Sequence, residues 1–281
     1  MSQTELSHKG IGPIGVFDSG YGGLTILNAI RQRLPQYDYL YLGDNARTPY
    51  GTRSFEVVYH YTLECVKKLF ELDCHLVILA CNTASAKALR SIQQRDLHGL
   101  APNRRVLGVI RPTVEAIGSL TETRHVGLVG TTGTIQSQSY PLEIAKLFPD
   151  IVVTGEACPM WVPLVENGEY DSDGADYFVK KNLDHLFSVD PDIDTLILGC
   201  THYPLLVNKI QKYLPKHVAL VIQGDIVANS LADYLSRHPE MEQKCSQGGE
   251  CRFLTTEAEE KFAASASVFM AENINARQIQ L

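Results

Sequence analysis

Short apolar runs alternate with amphipathic segments along nearly the whole chain, and this alternation limits the folds open to it. The strands predicted from the apolar runs cover residues 14–17, 39–42, 76–80, 106–110, 126–129, 151–153, 195–198 and 219–222. Between them, apolar residues recur every three or four positions, as at Leu24, Leu27 and Ile30, which predicts helices. Strands that alternate with helices predict parallel sheets joined by crossover helices.

The same runs are continuously apolar, which is typical of strands that helices cover on both faces. A strand followed by a glycine turn occurs at residues 15–23 and again, in similar style, at 126–134. We therefore predict an α/β protein of two similar domains with mostly parallel sheets covered by helices. The first domain comprises residues 1–105 and 219–281, and the second comprises residues 106–218. Ligands of open parallel sheets bind beyond the carboxyl ends of the strands, so we expect the site in the cleft between the domains.

The composition of the chain restricts its partners and its location. Of the 281 residues, 44% are hydrophobic and 20% are charged, as in ordinary globular domains. The formal net charge is −7, from 25 Lys and Arg against 32 Asp and Glu, and no long basic run indicates a nucleic-acid surface. A polar start, and no run of about 18 apolar residues, argue against secretion and membrane insertion. We predict a cytoplasmic protein that binds a small molecule.

The seven cysteines do not form the dense, even set that is typical of small secreted domains, so we predict reduced thiols. Cys65, Cys74 and Cys158 are predicted to be core residues, because a reduced cysteine behaves as a small hydrophobe. Cys245 and Cys251 flank a loop that is only a weak candidate for zinc, since two thiols without a second pair do not complete a site.

Two other cysteines occupy closely similar positions. Cys81 follows an apolar run and precedes Asn82, and Cys200 follows another apolar run and precedes Thr201. A thiol between a strand end and a helix start lies beside unpaired backbone N–H groups and the positive end of a helix dipole, which favours the thiolate. The repeated arrangement predicts two acid/base groups that face one substrate from opposite sides.

The turn that begins at Asp18 and Ser19 contains Gly20, Gly22 and Gly23 and opens a helix. Its glycines would allow backbone N–H groups to approach an anion. The spacing departs from that of dinucleotide and phosphate loops, so nucleotide binding is not favoured. A plain tight turn explains the glycines but not the pair of polar residues before them, and we favour a functional role.

A loop of turn-forming residues at 43–51 carries one acid, Asp44, and one base, Arg47. Arg47 either lies at the surface, pairs with Asp44 or contacts a ligand. Surface ion pairs are common, so the loop alone does not decide between these alternatives.

His202 lies two residues after Cys200, close enough to tune the thiol or to relay a proton. Glu166, after an apolar stretch, is either a carboxylate at a helix end or a partner that orients His202. A zinc ion held by Cys81, Cys200 and His202 would match a Cys2His catalytic site, but no carboxylate or pair of histidines with the usual ligand spacing supports it, and we predict no metal.

Four blocks of sequence closely resemble the signatures of the glutamate racemases, within the aspartate/glutamate racemase superfamily. They are GVFDSGYGGL at 15–24, LGDNARTPYG at 42–51, ACNTAS at 80–85 and GCTHYPL at 199–205. Residues 126–139 and 159–168 are also similar to the family pattern, so the resemblance covers nearly the whole chain. It implies a cytoplasmic bacterial enzyme, often a homodimer, that interconverts L- and D-glutamate without a cofactor and supplies D-glutamate for peptidoglycan synthesis.

The resemblance also implies roles for individual residues. The two catalytic thiols fall on Cys81 and Cys200; Asp18 would assist the first, and His202, with Glu166 behind it, would assist the second. The implied substrate contacts are Asp18, Ser19, Tyr50, Gly51, Asn82, Thr83, Thr131, Thr134, Thr201 and His202. The polar residues before Ile11 and the loop from Cys245 to Cys251 have no place in the family pattern.

Two thiols suit this reaction, because removal of the Cα proton on one face and return of a proton on the other require a base and an acid. A free thiol has a pKa of about 8.5, so a modest downward shift would give a useful thiolate fraction. The carbanion would be stabilised by donors aimed at the substrate carboxylate, for which Asn82, Thr83 and Thr201 are suited.

Three other functions are compatible with the sequence. A racemase of aspartate or of another acidic amino acid would use the same thiols. A Cys/His hydrolase would use Cys200 as its nucleophile and would leave Cys81 unexplained. A non-catalytic anion-binding module would be stabilised by its ligand without turnover.

Overall fold

The structure is a computed structural model that describes residues 10–270 and 274–281. The first nine residues of the predicted polar segment lie outside the described residues. The strands are β1 Ile14–Asp18, β2 Tyr39–Gly43, β3 Leu76–Leu79, β4 Arg105–Gly108, β5 His125–Gly130, β6 Val152–Ala157, β7 Thr195–Gly199, β8 Ala219–Val221, β9 Cys251–Thr255 and β10 Ala276–Gln278. The eight predicted strands are therefore confirmed, with ends displaced by a few residues.

Helices connect successive strands. They are α1 Gly23–Arg33, α2 Phe55–Glu71, α3 Asn82–Lys87, α4 Leu89–Ser91, α5 Leu97–Leu100, α6 Ile110–Ile117, α7 Thr132–Gln136, α8 Ser139–Leu147, α9 Trp161–Glu166, α10 Asp173–Val189, α11 Val207–Tyr213, α12 Gln223–Arg237, α13 Pro239–Glu242 and α14 Glu259–Ala266. In α1 the apolar positions Leu24, Leu27 and Ile30 are buried, as their spacing predicts. Across the residues that the structure describes, no helix is both long and apolar enough to cross a bilayer.

The first sheet has six strands in the order β10-β9-β2-β1-β3-β4, and all of its pairs are parallel. Successive side chains of its central strands enter different cores. Val16 and Ile78 pack in the core that contains residues of α1 and α12, whereas Phe17 and Leu79 pack in the core that contains residues of α2. Helices therefore cover both faces of this sheet, which is why its central strands are continuously apolar.

The second sheet has four parallel strands in the order β6-β5-β7-β8. Its central strand β7 alternates in the same way, with Leu196 and Leu198 in one core and Ile197 in another. The edge strand β6 is only partly buried, and its sequence is correspondingly less apolar. The prediction of an α/β fold with parallel sheets covered by helices is confirmed.

Strand pairing moves both predicted domain boundaries. β4 pairs with β3, so the first sheet continues to Gly108 instead of ending before residue 106. β8 pairs with β7, so the second sheet continues to Val221 instead of ending at residue 218. The apolar pattern predicts a strand, but backbone hydrogen bonding in the tertiary structure decides which sheet it joins. We therefore propose that the first domain ends at 108 and resumes near 223.

The cysteines assigned to the core, Cys65, Cys74 and Cys158, are fully buried, as predicted. Cys245 is also buried, and Cys251 begins β9, which pairs with β2. The segment between these two residues is therefore attached to the first sheet rather than forming a separate module.

Candidate active site

Residues that follow the carboxyl ends of strands from both sheets converge on one cavity. They are Ser19 after β1, Cys81 after β3, Thr131 after β5, Cys158 after β6 and Cys200 after β7. The cavity has a volume of about 90 Å³. Cys81 and Cys200 thus line a single cavity, and each comes from a different sheet.

The structure brings most of the predicted site residues to this cavity. Those that line it are Ser19, Tyr50, Gly51, Cys81, Asn82, Thr83, Thr131, Cys200, Thr201 and His202. The other three, Asp18, Thr134 and Glu166, lie behind this wall. Each of them forms a hydrogen bond with a residue of the lining.

Cys81 caps the amino end of α3, as the sequence predicts. Its sulfur accepts a hydrogen bond from the backbone N–H of Ala84 at 3.4 Å and lies 3.4 Å from the hydroxyl of Ser19. Burial and, after it, the nearby carboxylate of Asp18 nevertheless raise the pKa of Cys81 to about 12. The prediction that a position between a strand end and a helix start favours the thiolate is therefore wrong for Cys81, because desolvation outweighs the hydrogen bonds.

Asp18 is completely buried at the end of β1, and its carboxylate accepts a hydrogen bond from the backbone N–H of Gly20 at 3.0 Å. Burial raises the pKa of Asp18, although the positive charge of His202 opposes this shift. The glycines of the turn serve close packing. A Cβ on Gly22 would lie 2.3 Å from the hydroxyl oxygen of Thr201 and 2.4 Å from Nδ1 of His202.

His202 connects the second thiol to a carboxylate. Its Nδ1 lies 3.9 Å from the sulfur of Cys200, and its Nε2 lies 3.0 Å from Oε1 of Glu166. Burial alone lowers the pKa of His202, but its contacts with Cys200 and Glu166 outweigh burial and raise the pKa to about 10. The imidazole is therefore protonated at neutral pH. Glu166 is the last residue of α9 and also the partner of His202, so both alternatives for it describe the structure.

Three threonine hydroxyls join the two domains at the edge of the cavity. Thr83 of α3 lies 3.0 Å from Thr131 and 3.3 Å from Thr134, and these two lie 3.1 Å from each other. Next to them, the backbone N–H of Gly133 donates to the carbonyl of Gly51 at 2.8 Å. The loop that contains Gly51 is therefore attached directly to the amino end of α7.

The loop at 43–51 is organised by Asp44, which is completely buried. Its carboxylate accepts hydrogen bonds from Arg47 at 2.6 Å, from the hydroxyl of Tyr50 at 2.5 Å and from that of Thr256 at 2.9 Å. Arg47 therefore pairs with Asp44, one of the alternatives that the sequence left open. The hydroxyl of Tyr50 binds Asp44, so the aromatic ring and backbone of Tyr50 are what this residue offers to the cavity.

Sequence reasoning missed three buried residues that contact the site from behind. The carboxamide of Asn82 forms hydrogen bonds with Gln223 and Tyr140, and Gln223 also contacts Thr113. Gln223 follows β8 as the first residue of α12. The two cysteines were identified because each lies between a strand end and a helix start, and the same rule could have found Gln223. Tyr140 and Thr113 lie within helices and carry no comparable sequence signal.

A group of donor atoms that could hold a metal lies elsewhere. Within the described ranges, His125, Asp190 and Asp192 form the one set of three such residues whose donor atoms all lie within 4.8 Å of one another. His125 begins β5, at the end of that strand away from the cavity. Its Nδ1 is already bonded to Asp190 at 3.0 Å.

Two thiols, an imidazolium and buried hydroxyl and amide donors form a site for proton transfer on a small molecule. The sequence profile of Asp/Glu/Hydantoin racemases matches residues 24–231, which is most of the chain. The chain belongs to this racemase family, and it is an isomerase.

Individual relatives carry a more specific name. The glutamate racemase of Ruegeria sp. (strain TM1040) is 40% identical over 274 residues, which cover 93% of this chain and 97% of the relative. The crystal structure of glutamate racemase isoform RacE1 from Bacillus anthracis superposes with a TM-score of 0.87 at 35% identity, covering 96% of this chain and 98% of that one. Glutamate racemase from Francisella tularensis subsp. tularensis SCHU S4, solved in complex with D-glutamate, superposes with a TM-score of 0.85 at 32% identity and the same coverage. These similarities agree with the family resemblance of the four sequence blocks.

Proposed function

We propose that this protein interconverts L- and D-glutamate by a two-thiol acid/base mechanism. The observation that carries the proposal is the position of Cys81 and Cys200, which come from different sheets and line one small cavity. Relatives named glutamate racemase, one of them solved with D-glutamate bound, support the choice of substrate.

The chemistry consists of two proton transfers at one carbon. A thiolate on one side takes the Cα proton, and the electron pair of the broken C–H bond remains on the substrate as a carbanion. The thiol on the other side then donates its proton to the opposite face of Cα and becomes a thiolate. In the reverse reaction the two cysteines exchange roles, so the sulfur that acts as the base in one direction acts as the acid in the other.

The surroundings of the two sulfurs differ. Burial and Asp18 raise the pKa of Cys81 to about 12, which favours the thiol. The protonated His202, 3.9 Å from the sulfur of Cys200, can stabilise a negative charge there. We therefore propose that Cys81 rests as the thiol and that His202 stabilises the negative charge that forms on Cys200 during the reaction.

The carbanion requires stabilisation by donors that face the substrate α-carboxylate. Asn82, Thr83, Thr201 and Ser19 line the cavity with amide and hydroxyl groups and are nearly inaccessible to water. In a buried site such donors are worth more than in water and do not have to reorganise during the reaction. We propose that they bind the carboxylate and share its growing charge.

The experiment compares Cys81→Ala and Cys200→Ala with a control, Cys245→Ala, which removes a thiol that is also buried but lies outside the cavity. Initial rates are followed by circular dichroism from L-glutamate and from D-glutamate, with L-aspartate as a second substrate. We expect each site variant to lose racemisation by a factor of about 10² to 10⁴, whereas the control keeps it.

Full two-way racemisation by either site variant would refute the two-thiol mechanism. Faster turnover of aspartate than of glutamate would transfer the proposal to that substrate. A covalent acyl adduct on Cys200, detected by mass spectrometry, would indicate a hydrolase instead.

We extend the proposal to the role in the cell. The relatives named above come from bacteria, and the family resemblance implies supply of D-glutamate for peptidoglycan by a cytoplasmic enzyme, often a homodimer. Rescue of a bacterial strain that requires D-glutamate tests the role, and sedimentation velocity tests the dimer. Failure of rescue by an active, expressed protein would contradict the cellular role alone.

A further inference from the structure

Asn82 lines the cavity next to Cys81, but both ends of its carboxamide are held by residues outside the lining. Its Nδ2 donates to Oε1 of Gln223 at 2.7 Å, and its Oδ1 accepts from the hydroxyl of Tyr140 at 2.6 Å. The exposed fraction of Tyr140 is 0% and that of Gln223 is 3%, so water does not compete for these bonds. The amide of Asn82 is therefore oriented from behind.

The direction of these hydrogen bonds follows from one backbone carbonyl. The hydroxyl of Thr113 donates its single proton to the carbonyl of Val109 at 3.0 Å, so its oxygen accepts from Nε2 of Gln223 at 2.8 Å. Gln223 consequently turns its Oε1 toward Nδ2 of Asn82. The hydroxyl of Tyr140 accepts from the same Nε2 at 2.6 Å and donates to Asn82.

This arrangement of hydrogen bonds leaves one of the two Nδ2 protons of Asn82 without a hydrogen-bond acceptor among the described residues. We propose that Tyr140, Gln223 and Thr113 are positioning residues that hold the carboxamide of Asn82 with an N–H, and not its carbonyl oxygen, toward the cavity. The inference rests on the proposed function, because a carboxylate in the cavity requires a donor. A flipped amide would place its oxygen against that carboxylate.

The network also makes the orientation depend on the packing of the two domains. Asn82 begins α3 of the first domain, whereas Tyr140 lies in α8, which packs beside the second sheet. Gln223 begins α12, where the chain returns to the first sheet. The members are neutral, and removal of the Tyr140 hydroxyl leaves the buried Oδ1 of Asn82 without the hydrogen bond that it accepts.

The first test is Tyr140→Phe, which removes the donor to Asn82 without changing the ring. We expect kcat/KM for glutamate to fall by about tenfold in both directions, because a misoriented donor weakens the carboxylate contact. Tyr39→Phe is the matched control. Tyr39 is also a buried residue, and its hydroxyl donates to the carbonyl of Leu34 at 2.7 Å, away from the cavity, so the kinetics of this variant should stay within about twofold of the native enzyme.

A double-mutant cycle separates positioning from general stability. If Tyr140 acts through Asn82, then adding Tyr140→Phe to Asn82→Ala should change kcat/KM by less than about twofold. A further tenfold loss in that background would overturn the inference, as would unchanged kinetics of Tyr140→Phe alone.

A second readout does not depend on turnover. In protein labelled with ¹⁵N-asparagine, the Nδ2 proton pair of Asn82 is identified by its absence in Asn82→Ala. Tyr140→Phe should shift this pair and Tyr39→Phe should not; an unshifted pair would overturn the inference. Inactivity of the native protein would instead overturn the proposed function, and native kinetics of Asn82→Ala would overturn the contact of Asn82 with the substrate. In either case the amide shift still tests the role of Tyr140.

Discussion

Replacement of Gly51 by alanine is the sharpest test of the way the two domains enclose the cavity. A Cβ at this position would lie 2.7 Å from Cβ and 2.9 Å from Cγ2 of Thr131, which caps α7 in the other domain. Carbon atoms pack best at about 3.5–4.0 Å, so the loop and α7 must separate by roughly 1 Å. The contacted Cβ is fixed to the backbone of Thr131, and no side-chain rotation relieves it.

The expected losses of stability and of activity follow from this displacement. Overpacking of this kind costs about 1–3 kcal/mol of stability. A misplacement of about 1 Å in a catalytic site can lower the rate by a factor of about 10². The separation would also strain the hydrogen bond from the backbone of Gly133 to Gly51, which is 2.8 Å long. We expect a large fall in kcat/KM together with a lower thermal midpoint.

The assay measures initial racemisation rates by circular dichroism and thermal unfolding on the same samples. The control is Gly99→Ala, because a Cβ at Gly99 in α5 meets no atom within 4 Å. This control should keep native kinetics and be as stable as the native protein or more stable by about 0.5–1 kcal/mol. Native kcat/KM in Gly51→Ala, with or without a loss of stability, would refute the view that this contact sets the geometry of the cavity.

Three other predictions concern pH, reactivity and the loop at 43–51. The pKa of His202 is raised from its ordinary value to about 10, so the stability that this residue contributes is complete below about pH 6.5 and is lost as the pH rises through about 10. The denaturant midpoint should therefore fall as the pH rises from about 6.5 to about 10, and it should fall less steeply in Glu166→Gln. Identical pH profiles for the two proteins would contradict the view that Glu166 raises the pKa of His202. Burial raises the pKa of Cys81 to about 12, so iodoacetamide should modify this thiol slowly at pH 8 and faster at pH 10. Peptide mapping measures the rate of modification. A rate that does not depend on pH would argue against a buried, protonated thiol. Asp44→Ala leaves Arg47 and Tyr50 without their buried acceptor and should lower the free energy of unfolding in urea by about 3 kcal/mol. Tyr50→Phe should lower it by about 1 kcal/mol. Equal losses would show that the ion pair of Asp44 with Arg47 is unimportant for stability.

Local pattern was sufficient to predict eight of the ten strands in the described residues and the positions of the two thiols. Continuous apolar runs such as 76–79 and 195–199 require cover on both faces, and a polar residue after such a run lies at the carboxyl edge where ligands bind. The pattern failed at β9, Cys251–Thr255, and at β10, Ala276–Gln278, which has only three residues and is partly polar. Strand β10 exists because it completes the hydrogen bonds of β9, a reason that lies in the tertiary structure.

The protonation of the site could not be predicted from spacing. The helix start at Cys81 indicated a thiolate, but the extent of desolvation depends on every element that closes the cavity, and it reverses the expected shift. In the same way, spacing placed His202 near Cys200 but left Glu166 undecided until α9 brought it within 3.0 Å of the ring.

The sequence by itself determined the class of fold and the pair of cysteines after strand ends, because these depend on periodicity and on neighbours along the chain. The family resemblance implied most of the polar residues around them. Only the tertiary structure decided which sheet β4 and β8 join, that burial raises the pKa of Cys81 and which groups contact the amide of Asn82. Those properties depend on contacts between residues far apart in the chain, such as Tyr140 and Asn82, and no local pattern encodes such contacts.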